Sequence, residues 1–367
     1  MISGGTKGLG LEIAGWMLNK GAQNLVLLSR SGDKDPKVRS KIDKLRQKGA
    51  NILVYAVDVA DLDGMTNVFS DMKNKLPSLA GIFHGAMVLD DGFLLDMNDD
   101  RFRKVLRPKV DGTMVLHQLS KEYDLDNFVM FSSLSSLIGH LGQANYVVAN
   151  TMLDSFAYLR KSLGLAATTV NLGVLGQAGV ISRDENLKEM VMDSGIRSFT
   201  NEEVLVALEE IVRTKPTQIG FFNVDWSVFE KSFKSSKSSL FEELIEENVG
   251  GNSQLNEEQT ANLDVLKTLQ LVQQKELVID VLREELSKIL KMSKENIPSD
   301  KGVNFLGVDS ILSVQLIRAI NGKLAVELSP MEFTSGPNLK QLSTIVLEKI
   351  LDSLVNEESL EKVNTVN

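Results

Sequence analysis

The chain has 367 residues, 43% apolar and 24% charged, a balance that suits soluble globular domains and excludes a disordered, collagen-like or coiled-coil chain. The 40 basic and 49 acidic side chains leave a net charge of −9, so neither the basic footprint of a nucleic-acid binder nor a basic membrane anchor is expected. Cysteine is absent and histidine occurs only 3 times, which excludes disulfides, cysteine-ligated zinc and a histidine-rich metal site.

The length points to two domains. No apolar run is long enough to span a bilayer and no signal-peptide pattern opens the chain, so the default expectation is a cytoplasmic location. A glycine loop, Ser3-Gly4-Gly5-Thr6-Lys7-Gly8-Leu9-Gly10, comes first and leads into a helical period over 11–20. Only Met1 and Ile2 precede it, where a parallel strand normally has about five residues. The expectation is a truncated first strand in a piece of a longer polypeptide.

Short β-branched and apolar runs at 25–28, 52–57, 128–131 and 168–172 read as buried strands, with a last candidate at 217–223. Longer stretches of helical period lie between them, among them 99–121 and 146–163. Continuously apolar strands alternating with helices predict a Rossmann-like α/β fold, a doubly wound parallel sheet with helices on both faces.

Composition shifts after Phe229 to Lys/Ser-rich, acidic and then Gly/Asn/Gln-rich segments. These predict a flexible linker over 229–265, with a short helix at 240–245. About 30 such residues reach roughly 30 Å. Helical period returns at 266–290, 310–321, 330–334 and 339–354, a small all-α bundle over 266–354, followed by a frayed tail at 355–367.

The glycine loop lets the backbone turn tightly and approach a pyrophosphate at a helix N-terminus. The next strand runs into Ser29 and Arg30, where an acidic residue would favour a free ribose 2′-hydroxyl. Arg30 offers a fork for a 2′-phosphate instead, which predicts NADPH over NADH. Asp58, at the end of the third strand, is placed to hydrogen-bond an adenine.

Ser133 follows the 128–131 strand, Tyr146 comes thirteen residues later at a helix start, and Asn150 shares a helical face with it. A ketone oxygen that has accepted hydride needs a proton. Tyr146 can give it if its pKa falls from about 10 toward neutral. An ammonium about 4 Å away attracts a phenolate by about 4 kcal/mol at an effective dielectric near 20, before desolvation. Ser133 would hold the carbonyl oxygen, and Asn150 would orient a lysine or a relay water. Each residue alone is ordinary core or rim material; the joint spacing carries the signal.

The loop, Arg30, Ser133, Tyr146 and Asn150 resemble a short-chain dehydrogenase/reductase. The run Phe131-Ser132-Ser133 with Gly142-Gln143-Ala144-Asn145-Tyr146-Val147-Val148-Ala149-Asn150 resembles, more narrowly, the ketoreductase domain of type I polyketide synthases and animal fatty acid synthases. In that subfamily the catalytic lysine comes from an earlier helix, and the matching residue is Lys109, in Arg107-Pro108-Lys109-Val110-Asp111-Gly112. Further matches are Leu25-Val26-Leu27-Leu28-Ser29-Arg30-Ser31-Gly32, Asp58-Val59-Ala60-Asp61, His84-Gly85-Ala86 and Asp225-Trp226, so the resemblance covers roughly 1–228. It implies cofactor contacts at Ser3 to Gly10, Ser29, Arg30, Asp58, Val59, His84, Gly85 and Ala86.

Lys7, Met87 and Leu172 depart from the family pattern without removing a catalytic group. The family also has an upstream, catalytically silent half-domain, which is expected in the longer polypeptide ahead of the truncated first strand. Leu89-Asp90-Asp91 resembles the signature of ketoreductases that deliver one hydroxyl configuration, the B type. Residues 176–197, with Leu187, Met190, Val191 and Met192, stand where the family has a mobile lid, or form a packed surface helix.

Leu306-Gly307-Val308-Asp309-Ser310-Ile311 opens a helix that carries more apolar residues than one core stripe needs, with Asp309 or Ser310 as N-cap. In context, 266–354 resembles an acyl carrier protein, which implies 4′-phosphopantetheine on Ser310. The combined resemblance implies a tethered β-ketoacyl substrate, a phosphopantetheinyl transferase, the other domains of one synthase and a homodimeric parent. The leading expectation is a ketoreductase–carrier segment of a polyketide synthase. Two others stand beside it: the same segment of an animal-type fatty acid synthase, and a silent reductase scaffold with a working carrier.

Overall fold

The structure is a computed structural model that describes residues 1–176, 195–233, 239–249, 266, 269–308, 310–324, 326, 328, 330–333 and 335–364. The chain divides into two compact units that part at Asp225 and Trp226.

The first unit runs β1 (Ile2–Ser3), α1 (Gly8–Asn19), β2 (Asn24–Ser29), α2 (Pro36–Arg46), β3 (Asn51–Ala56), α3 (Leu62–Lys75) and β4 (Gly81–His84). Then come α4 (Asp99–Leu106), a π-turn (Arg107–Asp111), α5 (Gly112–Ser120), β5 (Asn127–Ser133), α6 (Ser135–Ile138), α7 (Ala144–Ser162) and β6 (Thr168–Leu172). It closes with β7 (Ile196–Arg197), α8 (Asn201–Thr214), β8 (Gln218–Phe221) and β9 (Asn223–Val224).

Seven parallel strands form one sheet in the order β3-β2-β1-β4-β5-β6-β8. Side chains alternate between its faces, as the period of a strand requires. Val26, Leu28, Ile82, Phe128 and Met130 pack with Met65, Phe69, Leu116, Leu153 and Phe156 of α3, α5 and α7. Leu25, Leu27, Phe83, Val129 and Phe131 pack on the other face with Ile13, Ile42 and Leu208 of α1, α2 and α8. Burial on both faces explains why these strands read as unbroken apolar runs. The order reverses between β1 and β4, so a crevice opens at their carboxyl ends.

In this unit β4 was not among the expected strands, and two further details differ from the sequence reading. The predicted helix over 99–121 forms as a continuous run over 99–120 but takes π geometry at 107–111, where Pro108 lacks the N–H that the regular ladder needs and crowds the preceding turn. The 217–223 candidate splits into β8 in the main sheet and β9, which pairs antiparallel with β7.

The second unit begins with α9 (Trp226–Phe233), a 3₁₀ turn (Ser239–Phe241) and α10 (Glu242–Val249). The stretch expected to be a flexible linker with a short helix at 240–245 carries that helix at 242–249 and a further one at 226–233. Phe229 and Phe241 are buried there with Trp226 in one aromatic cluster, and their removal from water holds these short helices. Next come α11 (Leu271–Leu290), α12 (Ser310–Leu324), a 3₁₀ turn (Pro330–Phe333) and α13 (Leu339–Asn364). The last helix runs on through most of the expected tail. Val278, Leu282 and Leu286 of α11 meet Leu316 and Ile320 of α12 and Leu342 and Val346 of α13 in a single core. Among the described residues, no helix is long and apolar enough to cross a membrane.

Candidate active site

The glycine loop ties three strand ends together. Gly5 N–H donates to Leu28 O at 3.2 Å, Gly85 N–H to Ser3 O at 3.1 Å, and Thr6 Oγ1 to Ser29 Oγ at 2.9 Å. Gly4 has φ +70, and a Cβ there would stand 3.0 Å from the Gly85 carbonyl; a Cβ on Gly10 would stand 2.4 Å from Gly4 O. The loop is therefore a cradle that only glycine can line. Lys7 precedes α1 in an extended conformation and makes no side-chain cap, so no side chain occupies the first-turn N–H groups. That arrangement fits the pyrophosphate of a dinucleotide.

Arg30 is exposed just past β2. Asp58 accepts from Ala60 N–H at 3.0 Å and from Arg107 Nε at 3.2 Å. Val59 is buried with its methyl groups against the start of α5. His84 is buried as well, with Nδ1 2.6 Å from Ser3 Oγ.

Ser133 ends β5, and its Oγ accepts from Ser135 N–H at 3.2 Å and lies 3.0 Å from Ser135 Oγ. Tyr146 stands in the first turn of α7, where Asn145 Oδ1 accepts its N–H at 2.8 Å. Asn150 is fully buried and donates to Tyr146 O at 2.8 Å, while its Oδ1 has no hydrogen-bond partner. Lys109 leaves the π-turn inward, is buried, donates to Phe131 O at 2.7 Å and lies 5.5 Å from the centre of the Tyr146 ring. The structure thus brings Lys109 together with Tyr146, across two helices, at the end of the strand that carries Ser133.

The electrostatics bear on the expected fall of the Tyr146 pKa. Burial raises the Tyr146 phenol above its usual range, opposed by Asn150 and Ser133 as hydrogen-bonding neighbours, and Asp91 raises it further. The lysine does not reverse this. Burial pushes Lys109 itself down to about 7, against the pull of Asp154, so at neutral pH its charge is only partial.

The Leu89-Asp90-Asp91 run, expected as a stereochemistry motif, is clamped rather than free. Asp90 accepts from Arg101 Nε and Lys104 Nζ, both at 2.8 Å, and these cations hold its carboxyl below the usual range. Asp91 accepts from Gln143 at 2.8 Å, and Asn145 Nδ2 donates to Asp90 O at 2.9 Å. Leu89 beside them is half-buried. The motif therefore fixes the loop that leads into Tyr146.

Sequence reasoning passed over a buried polar group behind this site. Asp154 Oδ1 accepts from Thr169 Oγ1 at 2.8 Å, and Oδ2 lies 2.6 Å from Ser136 Oγ and 2.8 Å from Asn171 Nδ2. Ser136 Oγ is in turn 2.7 Å from Ser133 O. Asp154 lies one helical turn beyond Asn150, and that spacing was the available signal.

In the second unit Ser310 opens α12, after Gly307 turns the chain at φ +87 and Val308 is buried. A helix N-terminus suits a phosphodiester. Asp309 and residues 177–194, including the expected lid residues Leu187, Met190, Val191 and Met192, lie outside the described residues.

Comparison with known proteins agrees with this geometry. The KR domain family matches residues 1–177, and the phosphopantetheine attachment site family matches residues 280–346. The hybrid PKS-NRPS synthetase pynA of Aspergillus niger is 29% identical over 99% of this chain and 10% of its own length. The highly reducing polyketide synthase tstA of Talaromyces stipitatus is 30% identical over 98% of this chain and 14% of its own. The chain thus spans a small fraction of the length of these relatives. A solved structure of A-type ketoreductases from a modular polyketide synthase superposes with a TM-score of 0.64 at 30% identity, over 68% of this chain and 53% of that one. The first of these two relatives is a PKS-NRPS hybrid and the second a polyketide synthase. The KR domain match over residues 1–177 and the phosphopantetheine attachment site match over residues 280–346 follow one another here, and in both stretches the chain is similar to reducing polyketide synthases.

Proposed function

We propose that the first unit reduces a β-ketoacyl thioester tethered to the second unit, with NADPH as the reductant. The observation that carries this reading is the meeting of Lys109 with Tyr146 beside the end of the strand that bears Ser133. The glycine cradle would hold the pyrophosphate and Arg30 the 2′-phosphate. When bound, NADPH supplies the hydride that reduces the β-carbonyl.

Ser133 Oγ donates to the carbonyl oxygen and fixes its position, which sets the reacting geometry. The Tyr146 hydroxyl gives its proton to that oxygen as negative charge builds on it. The raised phenol pKa keeps Tyr146 protonated until then. Lys109, placed beside the ring, stabilises the phenolate left behind. The unpaired Asn150 Oδ1 is an acceptor for the water or ammonium through which Tyr146 regains a proton.

In this reading a phosphopantetheinyl transferase modifies Ser310, and the arm brings the acyl chain to Tyr146 at high effective concentration. The parent synthase acts as a cytoplasmic homodimer whose other domains extend and release the chain.

The test follows NADPH oxidation with a short β-ketoacyl thioester in the wild-type chain and in Tyr146→Phe. Turnover that falls by about 10²-fold or more in the variant, with NADPH affinity kept, supports the reading. Tight NADPH binding without turnover in the wild-type chain overturns it for that substrate and leaves a silent scaffold.

A further inference from the structure

His84 ends β4 where the strand order reverses, and the mechanism above gives its ring no task. The side chain is 1% exposed. Burial, with the Lys109 charge nearby, pushes its pKa down to about 3, so the imidazole is neutral at working pH.

A neutral imidazole has one N–H and one bare nitrogen. Nδ1 lies 2.6 Å from Ser3 Oγ. That hydroxyl oxygen accepts from Ala86 N–H at 3.3 Å, which leaves its own hydrogen for Nδ1. The ring hydrogen then sits on Nε2. Nε2 is buried without a well-formed hydrogen bond, and the carbonyls of Lys109 and Pro108 are the acceptors that face the ring.

Both carbonyls belong to the π-turn. A π-turn departs from the regular helical ladder, and Pro108 contributes no N–H to it. A donor from outside the helix is therefore well placed to fix the turn. The ring packs tightly against the start of α5, since a Cβ on Gly112 would lie 3.4 Å from His84 Cε1.

We propose that His84 is a positioning residue that couples the glycine loop to Lys109, with Nδ1 held by the Ser3 hydroxyl and Nε2–H aimed at the carbonyls of the π-turn. The dinucleotide cradle and the lysine are then set by one ring. Lys109 is faced by this ring from β4 and by Tyr146 and Asp154 from α7, so its proton affinity reports where the turn holds it. The proposal rests on the reading of Lys109 as the partner of Tyr146, but its test reads the lysine and not turnover.

The decisive variant is Ser3→Ala, because Ser3 shares no hydrogen bond with Lys109 while its hydroxyl meets the ring at Nδ1. The full chain, free of cofactor and carrying ¹³C at the lysine ε-carbons, is titrated from about pH 5 to about pH 10, with the Lys109 signal identified by its loss in Lys109→Met. The wild-type midpoint is expected near 7. Ser3→Ala and His84→Phe should each move it up by about half a unit or more, as the lysine gains access to water, and His84→Gln, which restores an N–H, should move it less than Phe. NADPH affinity, read by fluorescence without turnover, should fall about threefold or more in His84→Phe. An unmoved midpoint in Ser3→Ala overturns the proposal. So does a Gln variant as displaced as Phe, which would mean that the ring acts by packing alone. If His84→Phe does not fold, Ser3→Ala decides the matter. A chain with no ketoreductase turnover would leave the titration result standing.

Discussion

The side-chain nitrogen of Lys109 lies 5.5 Å from the centre of the Tyr146 ring, and it is anchored there by a 2.7 Å hydrogen bond to the carbonyl of Phe131. The lysine comes from a π-turn between two helices and the tyrosine from the first turn of a third. Their meeting sets an ammonium beside a phenol inside the protein. There burial disfavours the charged form of each, and a phenolate formed at Tyr146 would be supported by the lysine.

The buried lysine makes stability depend on pH with a definite sign. Its pKa is lowered by burial from 10.5 to about 7 in the folded chain. The folded state therefore binds fewer protons than the unfolded one between those values. The lysine's contribution to stability rises with pH across that window and is least favourable below about 7. Lys109→Met should accordingly raise the melting temperature more at about pH 6 than at about pH 9, by roughly 2–4 °C, while activity is lost. Equal shifts at the two pH values would contradict the buried charge.

Arg30→Ala should separate the two nicotinamide cofactors. An exposed guanidinium past β2 is a partner for a 2′-phosphate and has no counterpart on NADH. Fluorescence titration should show NADPH affinity falling about tenfold or more, with NADH changed by less than about threefold. Equal losses for both would remove Arg30 from the 2′-phosphate.

Gly10→Ala tests the cradle. The added carbon would stand 2.4 Å from Gly4 O, a backbone atom that cannot swing aside. The loop must shift, and NADPH affinity should fall by about tenfold or more, read by the same titration, with far-UV circular dichroism unchanged. Undiminished affinity would show that the loop does not hold the dinucleotide in this form.

Asp154 is a test of the supporting shell. Removing its carboxylate leaves the buried Thr169 hydroxyl without its acceptor and takes the charged acceptor from the Asn171 amide and the Ser136 hydroxyl. Asp154→Ala should lower unfolding stability by about 3 kcal/mol in urea titrations, with Asp154→Asn intermediate. A loss under about 1 kcal/mol would show that water takes its place.

The long strands were legible because burial on both faces writes them as apolar runs. Val26 to Leu28 and Phe128 to Phe131 show this. β4 was not picked out, since Gly81–His84 is only four residues long and ends in a polar ring buried by its neighbours. The π-turn at Pro108 was passed over because a helical period continues on both sides of it. Ser133, Tyr146 and Asn150 could be read from spacing alone. Lys109 could not, because a π-turn shifts the helical register, and only the family resemblance pointed to it. Asn145 and Asp154 look like surface residues in the sequence. What makes them matter is the partners that tertiary folding brings to them, Asp90 O for one and Thr169, Ser136 and Asn171 for the other. The packing of Phe229 and Phe241 was hidden for the same reason, inside a composition that reads as linker.

The central claim is that Tyr146 protonates a β-ketoacyl chain carried on Ser310. The direct measurement loads the full chain at Ser310 with a β-ketoacyl phosphopantetheine arm and follows NADPH oxidation in a single turnover, in wild type and in Tyr146→Phe. The account predicts one NADPH consumed per loaded chain in the wild type, with conversion to the hydroxyacyl form seen by mass, and a rate lower by about 10²-fold or more in the variant. Oxidation at the same rate in Tyr146→Phe, or none in a wild-type chain that binds NADPH, would contradict it.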